Sequence, residues 1–393
     1  MILYIAVTIL VLALGMWVRP RTAVRTDSGI YSSTLSRQDA LSRICLCAIF
    51  ATLFIPEALR VNTGNDYAKY VDFMHNIGIS AYDYVATEFG FNALVKLIYS
   101  ASGFENYLLV FAVFAALTVG LFLLAMRQQA DNFTFSFFLF MMFGYYFQSY
   151  NTVRYYFALA LTVVSIKYLQ DRRYGYFVLL ILLAATFHKS VLIVLVLYPL
   201  ALLPWKRIHI AAAYALGLVV LLTKDFWMKV VVKLYPSYEG TQFLSGGYSS
   251  ISWTNIARCC AVIILAIYVW RRRAKAGLPT TAGGGVRGRF YLFCNIEALG
   301  IYIFCSFIPF ISRIGYYLTV TQIFFIPALI GCMPDSTEKE RREKKIITGL
   351  VILAAVIYFI ALLRKMPDDT IKILPYKSFL FNDMPAIWSD VNR

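Results

Sequence analysis

Four short polar strings interrupt the apolar runs of this 393-residue chain, and they carry most of its chemistry. The first is Arg60-Val61-Asn62-Thr63-Gly64-Asn65-Asp66-Tyr67. The others are Asn151-Thr152-Val153-Arg154-Tyr155-Tyr156, Phe187-His188-Lys189-Ser190 and Ser312-Arg313-Ile314-Gly315-Tyr316-Tyr317. Each sets charged or hydrogen-bonding groups at the edge of an apolar run, where an uncompensated charge costs up to about 3 kcal/mol on insertion scales. Four such strings along one apolar body point to a polar or anionic ligand.

Arg154 opens a helix three residues after Asn151, so the two share a face. A helix N-terminus already favours anions through its free N–H groups and macrodipole. A guanidinium placed there suits phosphate, which it engages through two parallel hydrogen bonds. Arg313 repeats the arrangement just before another helix, followed by Tyr316 and Tyr317, and Arg60 supplies a third arginine. Three such arginines suit a diphosphate; the plainer alternative for each is snorkelling to a membrane surface. Asp66, behind the Thr63-Gly64 turn, could take a proton from an acceptor hydroxyl or could simply form the turn. His188 closes an apolar run and titrates near neutrality, or serves as a hydrogen-bonded helix end. Of the other two histidines, His75 falls mid-loop and His209 opens a helix. Glu88, in Glu88-Phe89-Gly90-Phe91, is a further acid. No His or carboxylate cluster has metal-ligand spacing, and there is no Gly-x-Ser-x-Gly element, so chemistry without metal or cofactor is expected.

These strings are positioned by apolar runs. The chain is 60% hydrophobic and 15% charged with a mean hydropathy of +0.67, far from a soluble composition. Twelve runs stand out, at 2–18, 40–56, 106–126, 134–148, 155–170, 175–188, 190–204, 209–223, 253–270, 290–310, 316–333 and 346–363. Their lengths predict an all-α polytopic membrane protein of about twelve transmembrane helices in a single domain spanning residues 1–393. The first run has its positive charges (Arg19, Arg21, Arg25) behind it and no small-residue cleavage site, so it reads as an anchor with its N-terminus outside. Inner loops then hold about 20 Lys and Arg against about 14 outside, which accounts for most of the net charge of +16 without a nucleic-acid partner. The seven cysteines lie in or beside apolar runs and imply neither a disulfide framework nor a zinc site.

Between the runs, 26–36 and Gly283-Gly284-Gly285 read as linkers. In the outer stretch 57–104, Phe91, Leu94, Val95 and Ile98 recur at helical spacing with Asn92 and Lys96 elsewhere on the wheel, predicting a helix in the membrane interface. The stretch 224–252 is a loop or a lid. Tyrosine pairs at 145–146, 155–156 and 316–317 form an interfacial belt or stack on sugar rings.

The chain resembles the EpsG family of Wzy-type polysaccharide polymerases, bacterial inner-membrane proteins. The resemblance is carried by the R-x-x-T-G-x-D-Y string from Arg60 to Tyr67 with Tyr70, by Glu88-Phe89-Gly90-Phe91, and by Asn151-x-x-Arg154. It continues through the Ala-rich helix to Tyr168-Leu169, Phe187-His188-Lys189-Ser190, Arg313-x-x-Tyr316-Tyr317 and Pro375-Tyr376-Lys377-Ser378. A departure is Tyr155, where many relatives carry Gln. The resemblance implies polymerisation of polyprenyl-diphosphate-linked oligosaccharide repeat units on the outer face of the inner membrane. Membrane lipid and a chain-length regulator would be partners. On this reading His188 or Asp66 is the base. Substrate contacts are expected from Arg60, Thr63, Tyr67, Glu88, Asn151, Arg154, Arg313, Tyr316 and Tyr317. The alternatives are a flippase or transporter of lipid-linked glycan, which needs the same anion recognition without a base, and a lipid-to-glycan ligase or glycosyltransferase.

The charge asymmetry makes the topology testable. In a cysteine-free background, Asn65→Cys and Asn382→Cys should both react with an impermeant thiol reagent added outside intact cells. Reaction only after the cytoplasm is opened would reverse the orientation.

Overall fold

The fold, taken from a computed structural model, is described over residues 1–19, 37–79, 87–234, 251–279, 286–308, 311–368 and 371–382. Regular structure among these residues is helical, with one isolated antiparallel bridge between Arg60 and Ser378. The chain forms two compact units, one comprising Met1–Lys189 with Lys345–Arg393 and the other Ser190–Lys344. The linkers expected at 26–36 and 283–285, and residues 235–250 of the expected lid or loop, lie outside the described residues.

The first unit contains α1 (Ile2–Gly15), α2 (Arg37–Ala58), α3 (Tyr67–Ile79), α4 (Phe89–Ser102), α5 (Tyr107–Gln129), α6 (Phe133–Met142), α7 (Tyr145–Gln148), α8 (Val153–Gln170) and α9 (Tyr174–Ala185). The second contains a 3-10 turn at Lys189–Ile193, all but its first residue, then α10 (Val194–Leu202), α11 (Arg207–Leu222), α12 (Lys224–Leu234), α13 (Trp253–Lys275), α14 (Val286–Phe304), α15 (Ile311–Thr319) and α16 (Gln322–Gly331). The last helix, α17 (Glu338–Lys365), begins in the second unit and runs on into the first.

Each of the twelve apolar runs coincides with helix, but not each with one long helix. Among the described residues five stretches are long and apolar enough to cross a bilayer: Arg37–Ala58, Tyr107–Gln129, Trp253–Lys275, Ile311–Gly331 and Glu338–Lys365. The run at 134–148 is broken at Gly144, whose φ of +76° ends α6 and starts α7. Leu124, Ile264, Leu353 and Ile357 stay exposed on the long helices, an arrangement that lipid favours and water does not. The chain is a helical membrane protein.

In the first unit α8 is the core helix. It is buried on nearly every side between α5 and α9, as expected for a helix that is apolar all round. Asn106 and Asn132 cap α5 and α6, each accepting a backbone N–H three residues on at 3.0 Å. In the second unit α14 packs against α10, α11, α13 and α15. There, buried Gln322 donates to Asn295 Oδ1 at 2.7 Å, and Asn295 donates to the Tyr291 carbonyl at 2.8 Å.

Four expectations are corrected. Residues 67–79 are a helix, α3, so His75 is not mid-loop; its Nδ1 pairs with Glu105 at 2.9 Å. The helix expected around Phe91 exists as α4, but Phe91, Val95 and Ile98 are buried, with Phe91 against Tyr70 of α3 and Phe114 of α5. Three of the four stripe residues are therefore covered by protein, while Phe89 and Leu97 of the same helix stay exposed. Residues 224–234 form the helix α12 rather than an irregular loop. Of the tyrosine pairs, Tyr145, Tyr146, Tyr155, Tyr156 and Tyr317 are buried, which makes them neither interfacial belt nor open sugar platform.

The Arg60–Tyr67 loop is pinned from two sides. Val61 and Gly64 N–H groups donate to the carbonyls of Lys377 and Lys372 at 2.9 and 2.8 Å, so the tail crosses over the loop. On the other side a Cβ on Gly64 would lie 2.4 Å from the Tyr150 carbonyl oxygen, and Gly64 has φ +105°. Gly64→Ala should therefore destabilise the protein by more than about 1 kcal/mol, read as a lowered melting temperature in detergent. An unchanged melting temperature would mean that the loop follows another path.

Candidate functional site

Arg60 sits at the root of the first unit's polar region and is only 1% exposed. Its guanidinium is wedged between the rings of Phe111 and Tyr150, 4.9 and 5.0 Å from their centroids. Nη1 donates to the Glu57 carbonyl at 2.7 Å and lies 3.9 Å from the Glu57 carboxylate; Nη2 reaches the Tyr150 carbonyl at 3.5 Å. Glu57 in turn accepts the Ser149 hydroxyl at 2.8 Å. The end of α2 is thus tied to the 149–152 turn that leads into α8. Asn151 is tied as well, since its Oδ1 accepts the Asn65 N–H at 2.8 Å. Thr63 is buried and accepts the Lys377 N–H at 3.3 Å. Tyr67 is stacked on Phe111 at 4.7 Å, and burial pushes its phenol well above the ordinary range.

One layer out, three of the expected residues meet. Arg154, at the second position of α8, pairs through Nη1 with Glu88 Oε2. Glu88 Oε1 accepts the Lys189 N–H at 3.2 Å and faces His188 Nδ1 at 3.8 Å. Their side chains are 14, 13 and 16% exposed, sheltered but open to a ligand. Sequence explains each placement. Glu88 precedes α4 in extended conformation, and Gly90 lets this strand of chain press on the 186–189 turn, its N–H donating to the Thr186 carbonyl at 2.7 Å. A Cβ at Gly90 would meet Thr186 Oγ1 at 2.3 Å. Phe91, Tyr70 and Phe73 form an aromatic bed for the Arg154 guanidinium at 5.3 to 5.7 Å. The His188 ring stands edge-on to Tyr155 at 5.4 Å, which gives the departing position 155 a concrete task.

Asp66 is half-buried at the start of α3, where its carbonyl accepts the Tyr70 N–H at 2.9 Å. It approaches the cluster through its neighbours: Asn65 holds Asn151, and the Tyr70 hydroxyl accepts the Arg154 N–H at 3.4 Å. Arg313, Tyr316 and Tyr317 belong to the second unit. Arg313 lies inside α15 rather than before a helix. Tyr317 is buried, its carbonyl accepting the Tyr198 hydroxyl at 2.6 Å and its own hydroxyl 3.1 Å from Ser190 Oγ.

A family model matches residues 43–378, from within α2 to the residue that bridges back to Arg60. The chain belongs to the EpsG family. No curated protein and no solved structure matches it. EpsG membership points to a polysaccharide polymerase-like enzyme, and the matched span contains every polar string set out above.

Within this EpsG chain the arginines divide. Arg154 presents a sheltered cation at a helix N-terminus, beside a carboxylate and an imidazole, a combination able to hold an anion and move a proton. Arg60 is enclosed, and its geometry suits positioning rather than ligand contact. Glu57 and Ser149 were not foreseen. The signal for Glu57 was its spacing, three residues before Arg60 at the end of an otherwise apolar run. Glu57→Gln should cost about 3–5 kcal/mol of stability by leaving the buried Arg60 charge poorly compensated. Arg154→Lys, which keeps a half-sheltered charge, should change stability by under about 1 kcal/mol. Matched thermal melts of the two purified variants check this, and equal losses would refute the division.

Proposed function

We infer that this EpsG-family protein joins polyprenyl-diphosphate-linked oligosaccharide repeat units into a surface polysaccharide at the outer face of the bacterial inner membrane. The observation that carries the reading is the meeting of Arg154, Glu88 and His188 at the start of α8. The donor's diphosphate docks at Arg154, where the macrodipole at the start of α8 also favours an anion. His188 Nδ1 faces Glu88, and the acceptor hydroxyl approaches from the Nε2 side of the ring. That hydroxyl gives its proton to His188 as its oxygen attacks the donor's anomeric carbon. The bond from that carbon to the diphosphate oxygen breaks, and the diphosphate leaves with the electron pair. Arg154 stabilises the charge that develops on it, which is the role expected of a preorganised cation. In this scheme the arginine neutralises the leaving group without a metal.

Arg60 acts by position, holding Asn151 and Arg154 in register through Glu57 and Ser149. Asp66, at the head of α3, orients the acceptor sugar. Thr63 and Tyr67 support the loop that carries it. Arg313 and Tyr316 form an anion-binding element of the second unit, which buried Tyr317 supports through Tyr198 and Ser190. Membrane lipid surrounds the protein, and a chain-length regulator is a fitting partner for a polymerase.

Purified protein given isolated lipid-linked repeat units should produce a ladder of longer glycans. Arg154→Lys should lower ladder formation at least tenfold at equal expression, because an ammonium cannot make the planar two-bond contact with phosphate. His188→Gln should still bind donor yet extend nothing. If His188→Gln works normally and Asp66→Asn does not, the base is Asp66. Normal ladders from both variants would remove both residues as the base, and no ladder from the native protein despite donor binding would put a glycan transporter first.

A further inference from the structure

Glu88 is shared between two partners with different needs. Its Oε2 neutralises Arg154 while Oε1 faces His188 Nδ1 at 3.8 Å, beyond the 2.7–3.2 Å of a hydrogen bond. The carboxylate therefore stands where a phosphate oxygen would sit on the guanidinium. A diphosphate arriving at Arg154 brings like charge against Glu88, and one of the two anions must give way. The geometry lets Glu88 be the one that moves. It lies ahead of α4 with φ −72° and ψ 149°, so its side chain can turn without unwinding the helix. Arg154 keeps its aromatic bed, and among the described residues its buried Nε has no hydrogen-bond partner to lose. The Lys189 N–H already holds Oε1 at 3.2 Å, anchoring the carboxylate on the His188 side.

We propose that Glu88 is a positioning residue which the donor's diphosphate displaces from Arg154, and that the released carboxylate closes onto His188 and readies it to take the acceptor's proton. This rests on the reading of Arg154 as the diphosphate site. Among the described residues Glu88, ahead of α4, and Tyr155 of α8 contact His188, with Arg154 of α8 on the other oxygen of Glu88 and Lys189 next in its own turn. Before exchange Glu88 is spent on Arg154, and the imidazole gains little from it. After exchange a carboxylate in hydrogen-bond contact favours the imidazolium. Base strength then rises only when a donor is bound, which sets a binding order and keeps the idle site from activating water. It also reverses the substrate-contact role expected for Glu88, since the residue competes with the substrate's anion.

The test uses full-length protein in detergent with 13C-labelled histidine; the chain has only three histidines, and His188→Gln assigns the signal. The probe is farnesyl diphosphate. Saturation should raise the His188 pKa by about one unit or more in the native protein. In Glu88→Gln the rise should largely vanish while the probe binds several-fold more tightly. An equal rise in Glu88→Gln would assign the effect to the diphosphate itself and overturn the proposal. No rise despite binding, or weaker binding by Glu88→Gln, would overturn it too. If Glu88→Gln does not fold, Glu88→Asp, too short to serve both partners, gives the same discrimination. Failure of the native protein to bind the probe, or equal binding by Arg154→Ala, would remove the diphosphate site first and the exchange with it.

Discussion

The first unit is organised around a charge that has no access to water. A guanidinium at 1% exposure must be compensated on all sides, and Arg60 draws its compensation from three separate places. The end of α2 supplies the Glu57 carbonyl and carboxylate, α5 supplies the Phe111 ring, and the turn before α8 supplies the Tyr150 ring and carbonyl. None of these can shift without uncovering the charge. The tail then closes the arrangement through the Arg60–Ser378 bridge and the bonds to Val61 and Gly64. Stability and site geometry are consequently coupled, because the turn that satisfies Arg60 is the one that aims Arg154.

Two arginines of the same chain thus perform opposite tasks, and environment alone separates them. Arg60 is surrounded by fixed acceptors and rings. Arg154 shares the Glu88 carboxylate with an imidazole and keeps 14% of its side chain open. A charge-pair that is partly exposed and partly shared can be exchanged for a ligand; one that is sealed cannot be exchanged without loss of the fold. The tyrosines follow the same logic. Tyr146, which donates to the Leu53 carbonyl at 2.7 Å and contacts the Tyr150 hydroxyl at 2.8 Å, binds helices together from inside. Rings with a polar tip suit a membrane protein's interior, where backbone carbonyls near helix ends need donors and water is scarce.

Much was legible in the sequence because it depended on local pattern. Apolar runs gave the helices, since an apolar segment in lipid must satisfy its backbone internally. The polar strings supplied the candidate site residues, and their order pointed to the EpsG family, which the match over residues 43–378 shows. Spacing missed α3, whose buried Tyr67, Tyr70, Val71, Met74 and Ile77 are separated by Lys69, Asp72 and His75 in a stretch too short and polar to read as a membrane helix. It also misread the direction of the α4 stripe, because periodicity tells that a face is apolar but not what covers it.

The sequence by itself determined which residue types were present at the edges of the apolar helices, and hence that arginines, carboxylates and an imidazole were available there. It could not rank them. Only tertiary structure decided that Arg60 is enclosed while Arg154 is open, and that Glu88, 66 residues from Arg154 and 100 from His188, stands between them. The physical reason is that burial and charge pairing belong to contacts between distant segments. An arginine at a helix edge reads alike in one dimension whether a carboxylate, an aromatic pair or open solvent comes to meet it.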